Sequence, residues 1–213
     1  MGSCAVVGSG GGLLGAGLGD NIDSHDVVIR INNAPDAHVL GKDTVFNRTV
    51  AEWQADVGSR TDWRVMNAGV FRSTYRFPVR YLRDHRSMVG APSYPRIALY
   101  CMAPWVMGTC TPWNLSHALA SPGSGTHLVN PLLLLRYYKA FFRTPGPRPW
   151  GGTLALTSGM AAVVLARTMC RETHLYGFGN GSCTKSCYHY YNRVNCTRLR
   201  ASPGAGGADA FVV

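Results

Sequence analysis

The sequence predicts an α/β fold, a doubly wound and mostly parallel sheet flanked by helices. Three observations carry this. Apolar runs of strand length end in glycine or in Asn-Ala-Pro, as buried parallel strands do where they feed a turn. Residues 9–24 separate the first two runs, too many for a hairpin and enough for a crossover connection. Two stretches with helical start signals, Pro131 at a first position and Thr157 or Ser158 at a cap, alternate with further strands.

In chain order, CAVVG at 4–8 reads as the first strand and HDVVIRINNAP at 25–35 as the second. Residues 36–55 show no firm period. DVGSRTDWRVMNAG at 56–69 predicts a turn and a third short strand at Trp63–Met66, and RIALYCM at 96–102 a fourth. Residues 103–127, rich in Gly, Pro, Ser and Thr, are expected to form a mobile loop over a site. PLLLLRYYKAFF follows as a helix opened by Asn130-Pro131, and TPGPRPWGG at 144–152 as a stiff connection. TSGMAAVVLARTMC at 157–170 predicts a second helix, and HLYGFG at 174–179 another buried strand. Ligands of such sheets sit at the carboxyl ends of the strands.

With 46% hydrophobic residues in a chain of 213, one core can be filled, so residues 1–213 are expected to form a single domain. Only 15% of residues are charged, yet Lys+Arg outnumber Asp+Glu by 21 to 11. The net charge of +10 favours an anionic ligand or surface. Nucleic acid is not expected as a partner, because the arginines are scattered and no aromatic ladder accompanies them. Seven cysteines, and sequons at Asn47, Asn114, Asn180 and Asn195, point to a secretory compartment. Cys183 and Cys187 are followed by one thiol, Cys196, so no zinc ligand set is completed and no metal is expected. The pairing of Cys101, Cys110, Cys183, Cys187 and Cys196 stays open. No apolar run reaches the roughly eighteen residues of a membrane span.

Gly10, Gly12 and Gly15 match G-x-G-x-x-G, whose glycines let backbone N–H groups cradle a pyrophosphate while an acid ending the next strand holds the ribose. Here the next strand ends Arg30-Ile31-Asn32-Asn33, and Asp26 stands at its start, the wrong edge for that role. A nicotinamide cofactor is therefore not expected, and neither is any other cofactor.

More residues are explained by a different resemblance. CAVVGSGGGLLGAGLGDNIDSHDVVIRINNAP, followed by DVGSRT, resembles the large sialyl motif of the animal-type sialyltransferases, glycosyltransferase family twenty-nine. LALTSGMAAVVLARTMCRETHLYGFG resembles their small sialyl motif, and HYYN at 189–192 the short third motif. The three stand in family order and span the chain nearly end to end. The resemblance implies a Rossmann-like sheet of the GT-A-like kind, a CMP-sialic acid-type donor, a glycan acceptor, and inverting transfer without a metal. It implies donor contacts at Ser9, Gly10, Gly12, Asn32, Thr157, Ser158 and Gly159, and a disulfide between Cys4 and Cys170. His189 becomes the candidate catalytic residue, an imidazole placed to stabilise charge growing on the departing cytidine monophosphate. Thr157-Ser158-Gly159 also suits an anion on its own physics, since a helix start presents N–H groups and hydroxyls together.

The chain departs from the family pattern in three places. The family usually carries Asn where Ser9 and Gly12 stand, and Ser where Gly10 stands. Its fourth motif, a His with a nearby Glu that supplies the catalytic base, has no match downstream of His189. Residues 36–55 read as an insertion. The expectation is a catalytic domain without, at its ends, the membrane anchor, stem and fourth motif, acting on the lumenal side of the Golgi membrane. The expected function is transfer of sialic acid, or a related ulosonic acid, from a CMP-sugar to a glycan hydroxyl in protein or lipid glycosylation. The alternatives are a catalytically inactive CMP- or glycan-binding homologue and an NAD(P)-dependent oxidoreductase.

Overall fold

A computed structural model describes residues 1–40, 47–67, 96–100, 126–141, 157–179, 189–191 and 210–212. The strands are β1 (Ser3–Val7), β2 (Val27–Ile31), β3 (Trp63–Asn67), β4 (Arg96–Tyr100), β5 (Thr126–Leu128), β6 (Glu172–Tyr176) and β7 (Ala210–Val212). The helices are α1 (Gly19–Asp23), α2 (Ala37–Leu40), α3 (Val50–Val57), α4 (Pro131–Phe141) and α5 (Ser158–Met169).

Among the described residues the strands form one sheet in the order β5-β4-β3-β2-β1-β6-β7. Every pairing from β5 to β6 is parallel, and β7 lies antiparallel on β6 at the edge. The chain steps outward from β1 to β5, then returns to lay β6 on the other side of β1. That reversal is a topological switch point, which opens a crevice beyond the carboxyl ends of β1 and β6.

From Cys4 to Val7 β1 is apolar and buried because both of its faces are covered. Cys4 and Val6 pack with Ile29, Val65 and the α5 residues Ala161, Ala162 and Ala166. Ala5 and Val7 pack on the other side with Val28, Ile22, Trp53 and Val57. A disulfide joins Cys4 of β1 to Cys170, the C-cap of α5, across a Cα separation of 5.8 Å.

Several elements differ from the sequence expectation. Residues 36–55 contain α2 and most of α3. Thr49 caps α3: its Oγ1 accepts from the Glu52 amide, while the Glu52 carboxylate accepts from the Thr49 amide. Thr49-x-x-Glu52 was the available signal, since eight residues span too few turns for a period to register. The last residues of the expected loop begin β5; residues 103–125 and the connection at 144–152 lie outside the described residues. β6 starts two residues before the expected strand and ends at Tyr176, where Gly177 turns the chain at φ 68°. The antiparallel β7 was not expected at all.

Near the amino edge of the sheet lies a closed polar cluster. His25 Nε2 is 2.8 Å from the Tyr176 hydroxyl, which donates to Asn21 Oδ1, and the His174 ring lies 4.5 Å from that of His25. Arg60 donates to the carbonyls of Asp23 and His25, and the Asp23 carboxylate accepts from the amides of Ser59 and Arg60. Burial, then the nearby His174, holds the His25 pKa below its ordinary value.

Candidate functional site

Three successive parallel strands end in polar side chains that meet at the start of α5. Asn32 follows β2, Asn67 ends β3 and Tyr100 ends β4. Asn32 Nδ2 donates to Ser158 Oγ at 3.0 Å, Asn67 Nδ2 donates to the same oxygen at 3.1 Å, and the Tyr100 hydroxyl lies 3.0 Å from it. The orientation of the Asn32 amide is determined by its other end, where Oδ1 accepts the backbone N–H of Asn67 at 3.1 Å. With two amides donating to it, the Ser158 oxygen has no acceptor capacity left, so its own hydrogen goes to Tyr100. The phenolic hydrogen of Tyr100 is thereby turned away from Ser158. Burial pushes the Tyr100 pKa up, against the opposing hydrogen bond from Ser158, which keeps the phenol a donor.

α5 opens on Thr157, whose Oγ1 accepts from the Met160 amide at 3.2 Å. The first-turn amides of Ser158 and Gly159 make no hydrogen bond among the described residues. Gly159 packs against Phe178: a Cβ there would stand 2.9 Å from the ring.

The glycine turn after β1 divides into two halves. In the first, the Gly10 amide donates to the Gly177 carbonyl at 3.0 Å, and a Cβ on Gly10 would lie 2.6 Å from that oxygen. The Gly10 amide is thus engaged by the residue that follows β6. Ser9 and Gly12 are partly exposed beside it, and Gly11–Leu13 form one 3₁₀ turn instead of the start of a long helix. In the second half, Gly15 and Gly17, at φ 73° and 64°, donate to the Asp56 carboxylate at 2.7 and 3.0 Å. Arg48 pairs with Asp56 at 2.6 Å. The protein's own carboxylate thus occupies the amides of this second half, including that of Gly15, the third glycine of the match, and the first half gives a single 3₁₀ turn where a dinucleotide fingerprint needs the start of a helix, a physical reason against the nicotinamide alternative.

His189 forms an antiparallel bridge with Gly10, and the amide of Tyr190 donates to the Ser9 carbonyl at 3.1 Å. The His189 ring is stacked on Tyr191, with centroids 4.9 Å apart and planes within 6°. Tyr190 is fully buried, and its hydroxyl donates to the Pro35 carbonyl. Segments far apart in sequence are therefore brought together in two places at the carboxyl edge of the sheet: His189 beside Gly10, after β1, and Ser158 beside Asn32, after β2.

Asn67 and Tyr100 were missed by sequence reading. Their signal was positional, because each ends a strand next to the one that Asn32 follows. Of the sequons, Asn47 is exposed, and Asn114, Asn180 and Asn195 lie outside the described residues. The five cysteines other than Cys4 and Cys170 also lie outside them.

An open, mostly parallel sheet whose polar strand ends meet a helix start at the carboxyl edge is a Rossmann-like arrangement of the GT-A-like kind. A crystal structure of a mammalian sialyltransferase shares it at a TM-score of 0.54 and 22% identity, covering 92% of this chain and 61% of that one. The chain belongs to glycosyltransferase family 29 (sialyltransferase), whose model matches residues 1–203. Sialyltransferase-like protein 2 of Oryza sativa subsp. indica is 31% identical over 209 residues, covering 88% of this chain and 47% of the rice protein. Human CMP-N-acetylneuraminate-beta-galactosamide-alpha-2,3-sialyltransferase 1 is 30% identical over 190 residues, with the same coverages. Beta-1,6-galactosyltransferase GALT29A of Arabidopsis thaliana is 29% identical over 206 residues, covering 88% of this chain and 45% of that protein. The chain spans about half the length of these relatives.

Proposed function

We propose that this chain carries the donor-binding core of a sialyltransferase that moves sialic acid, or a related ulosonic acid, from a CMP-sugar to a glycan hydroxyl. The observation that carries the reading is the convergence at Ser158: Asn32 from the first motif reaches the helix start of the second within 3.0 Å. The Gly10–His189 bridge adds the third motif at the same edge of the sheet. In this reading the donor phosphate and carboxylate lie at the α5 start, against the amides of Ser158 and Gly159 and the hydroxyls of Thr157 and Tyr100. Ser9, Gly12 and Asn32 line the nucleotide side. His189, as an imidazolium, stabilises the charge that accumulates on the leaving phosphate as the glycosidic bond breaks. Transfer is inverting, with the acceptor oxygen attacking from the opposite face, and needs no metal. The net charge of +10 suits so anionic a donor.

Family membership supports a lumenal Golgi location as part of this reading, as does a disulfide-bonded core. No helix among the described residues is long and apolar enough to cross a membrane.

The donor sugar is where the relatives diverge in name, one acting from CMP-N-acetylneuraminate and another transferring galactose. Calorimetric titration of the chain with CMP, UDP and NAD tests the reading directly. Saturable CMP binding that outcompetes the other two is expected. Tighter binding of UDP would move the chain to the galactosyl side of the family, and tighter binding of NAD would sink the proposal. A transfer assay with CMP-sialic acid and a β-galactoside then separates an active enzyme from an inactive CMP-binding homologue.

A further inference from the structure

Arg30 and Arg64 are register partners on β2 and β3, at 0% and 3% exposure. Among the described residues neither is ion-paired. A buried cation without a carboxylate is unfavourable, so its hydrogen bonds must account for it. Those of Arg64 converge on one turn, while those of Arg30 divide between that turn and the segment after α3, where its Nε donates to the Arg60 carbonyl and to Thr61 Oγ1, both at 3.0 Å. Arg64 Nη1 donates to the carbonyls of both Asn32 and Ala34 at 2.8 Å. Arg30 donates to the Pro35 carbonyl at 3.5 Å and to the Val57 carbonyl at 2.7 Å, and the Tyr190 hydroxyl also donates to Pro35. The carbonyls of Asn32, Ala34 and Pro35 thus all point inward onto two guanidiniums and a phenol. At the head of the turn Asn32 sits at φ 49°, in the left-handed region that asparagine enters more readily than most residues with a side chain, and Arg64 holds its carbonyl there. Among the described residues Arg64 Nη2 is buried without a hydrogen-bond partner, and no carboxylate pairs with the guanidinium beneath the carboxyl edge.

We propose that Arg64 is a positioning residue for the donor site: its grip on Asn32 and Ala34 holds the left-handed backbone that aims the Asn32 amide at Ser158. Through Arg30 and Tyr190, the same turn is kept in register with His189. The binding part of this inference rests on the CMP-donor function proposed above; the conformational part does not.

The test is a double-mutant cycle between Arg64→Gln and Asn32→Ala, read by CMP affinity, together with the 13Cα and 13Cβ shifts of Asn32, which report its φ. Arg64→Gln is expected to weaken CMP binding about tenfold, as loss of two charge-assisted bonds implies, and to move the Asn32 shifts off left-handed values. In the Asn32→Ala background it is expected to weaken binding no further. Arg64→Lys, which keeps the charge and one or two donors, is expected to recover part of the affinity, and it takes over the test if Arg64→Gln does not fold. Additive losses in the cycle, or unchanged Asn32 shifts in a folded variant, overturn the proposal. A chain that fails to bind CMP while Arg64→Gln still moves the Asn32 shifts refutes the donor function and leaves the positioning role standing.

Discussion

The two edges of the sheet are both polar, and they are built differently. Near the amino edge, His25, Tyr176, Asn21, Asp23 and Arg60 answer one another's hydrogen bonds beside the contact of the buried His25 ring with the half-buried His174 ring. At the carboxyl edge, Asn32, Asn67 and Tyr100 converge on Ser158, beside first-turn amides of α5 that make no bond among the described residues. A cluster that satisfies itself stabilises a fold, and one that leaves donors at a helix start is placed to bind an anion. Substitutions at the carboxyl edge should therefore change ligand chemistry with little effect on folding, and those at the amino edge the reverse.

The largest effect is expected for His189→Ala, which should lower the transfer rate about 10²- to 10³-fold with the melting temperature unchanged. Single-turnover kinetics with CMP-sialic acid checks this, and a change of less than about threefold would remove His189 from the leaving side. Replacing Cys4 and Cys170 by Ala opens a loop of sequence separation 166. Unfolding in urea should then show a loss of about 2–5 kcal/mol, with CMP affinity retained while the chain is folded. Ser158→Ala should weaken CMP binding by about 1–3 kcal/mol, because two amides and a phenol lose their common partner. If instead stability fell and affinity held, the contrast between the edges would break down. Thr49→Ala removes the cap of α3 and should lower stability by about 1 kcal/mol in the same urea experiment.

The smallest effect sharpens the contrast through pH. The His25 pKa lies below 6.5 in the folded chain, so below pH 6.5 the unfolded chain binds the proton more readily. The stability contributed by neutral His25 is complete above that pH and is lost as the pH falls through the folded value. The melting temperature should thus fall between about pH 7 and about pH 5, and less steeply in His25→Gln. An identical slope in the variant would assign the acid sensitivity to other groups.

Legibility in the sequence followed length and chemistry. β1 and β2 could be read because each is apolar at every position but one, Ser3 and Arg30, and α5 because Thr157 marks its start. α3 could not be read by period, although its capping box was in plain view at Thr49 and Glu52. β7, three residues from the end of a Gly-rich stretch, takes its state from pairing with β6. In the site, Asn32, Ser158 and His189 came from the family motifs, and Asn67 and Tyr100 did not, because a polar residue ending a short strand resembles any other turn residue.

Taken alone, the sequence was sufficient for the α/β class, the family motifs and the residue types available at each strand end. These follow from local periodicity and turn chemistry, which act over a few residues. Which glycine amides meet Gly177 and which meet Asp56, why Arg64 is buried, and how Asn32 meets Ser158 and His189 meets Gly10 were decided only in three dimensions. Those outcomes depend on strand order, and strand order is chosen by how two apolar layers can be covered at once, a property of the whole chain.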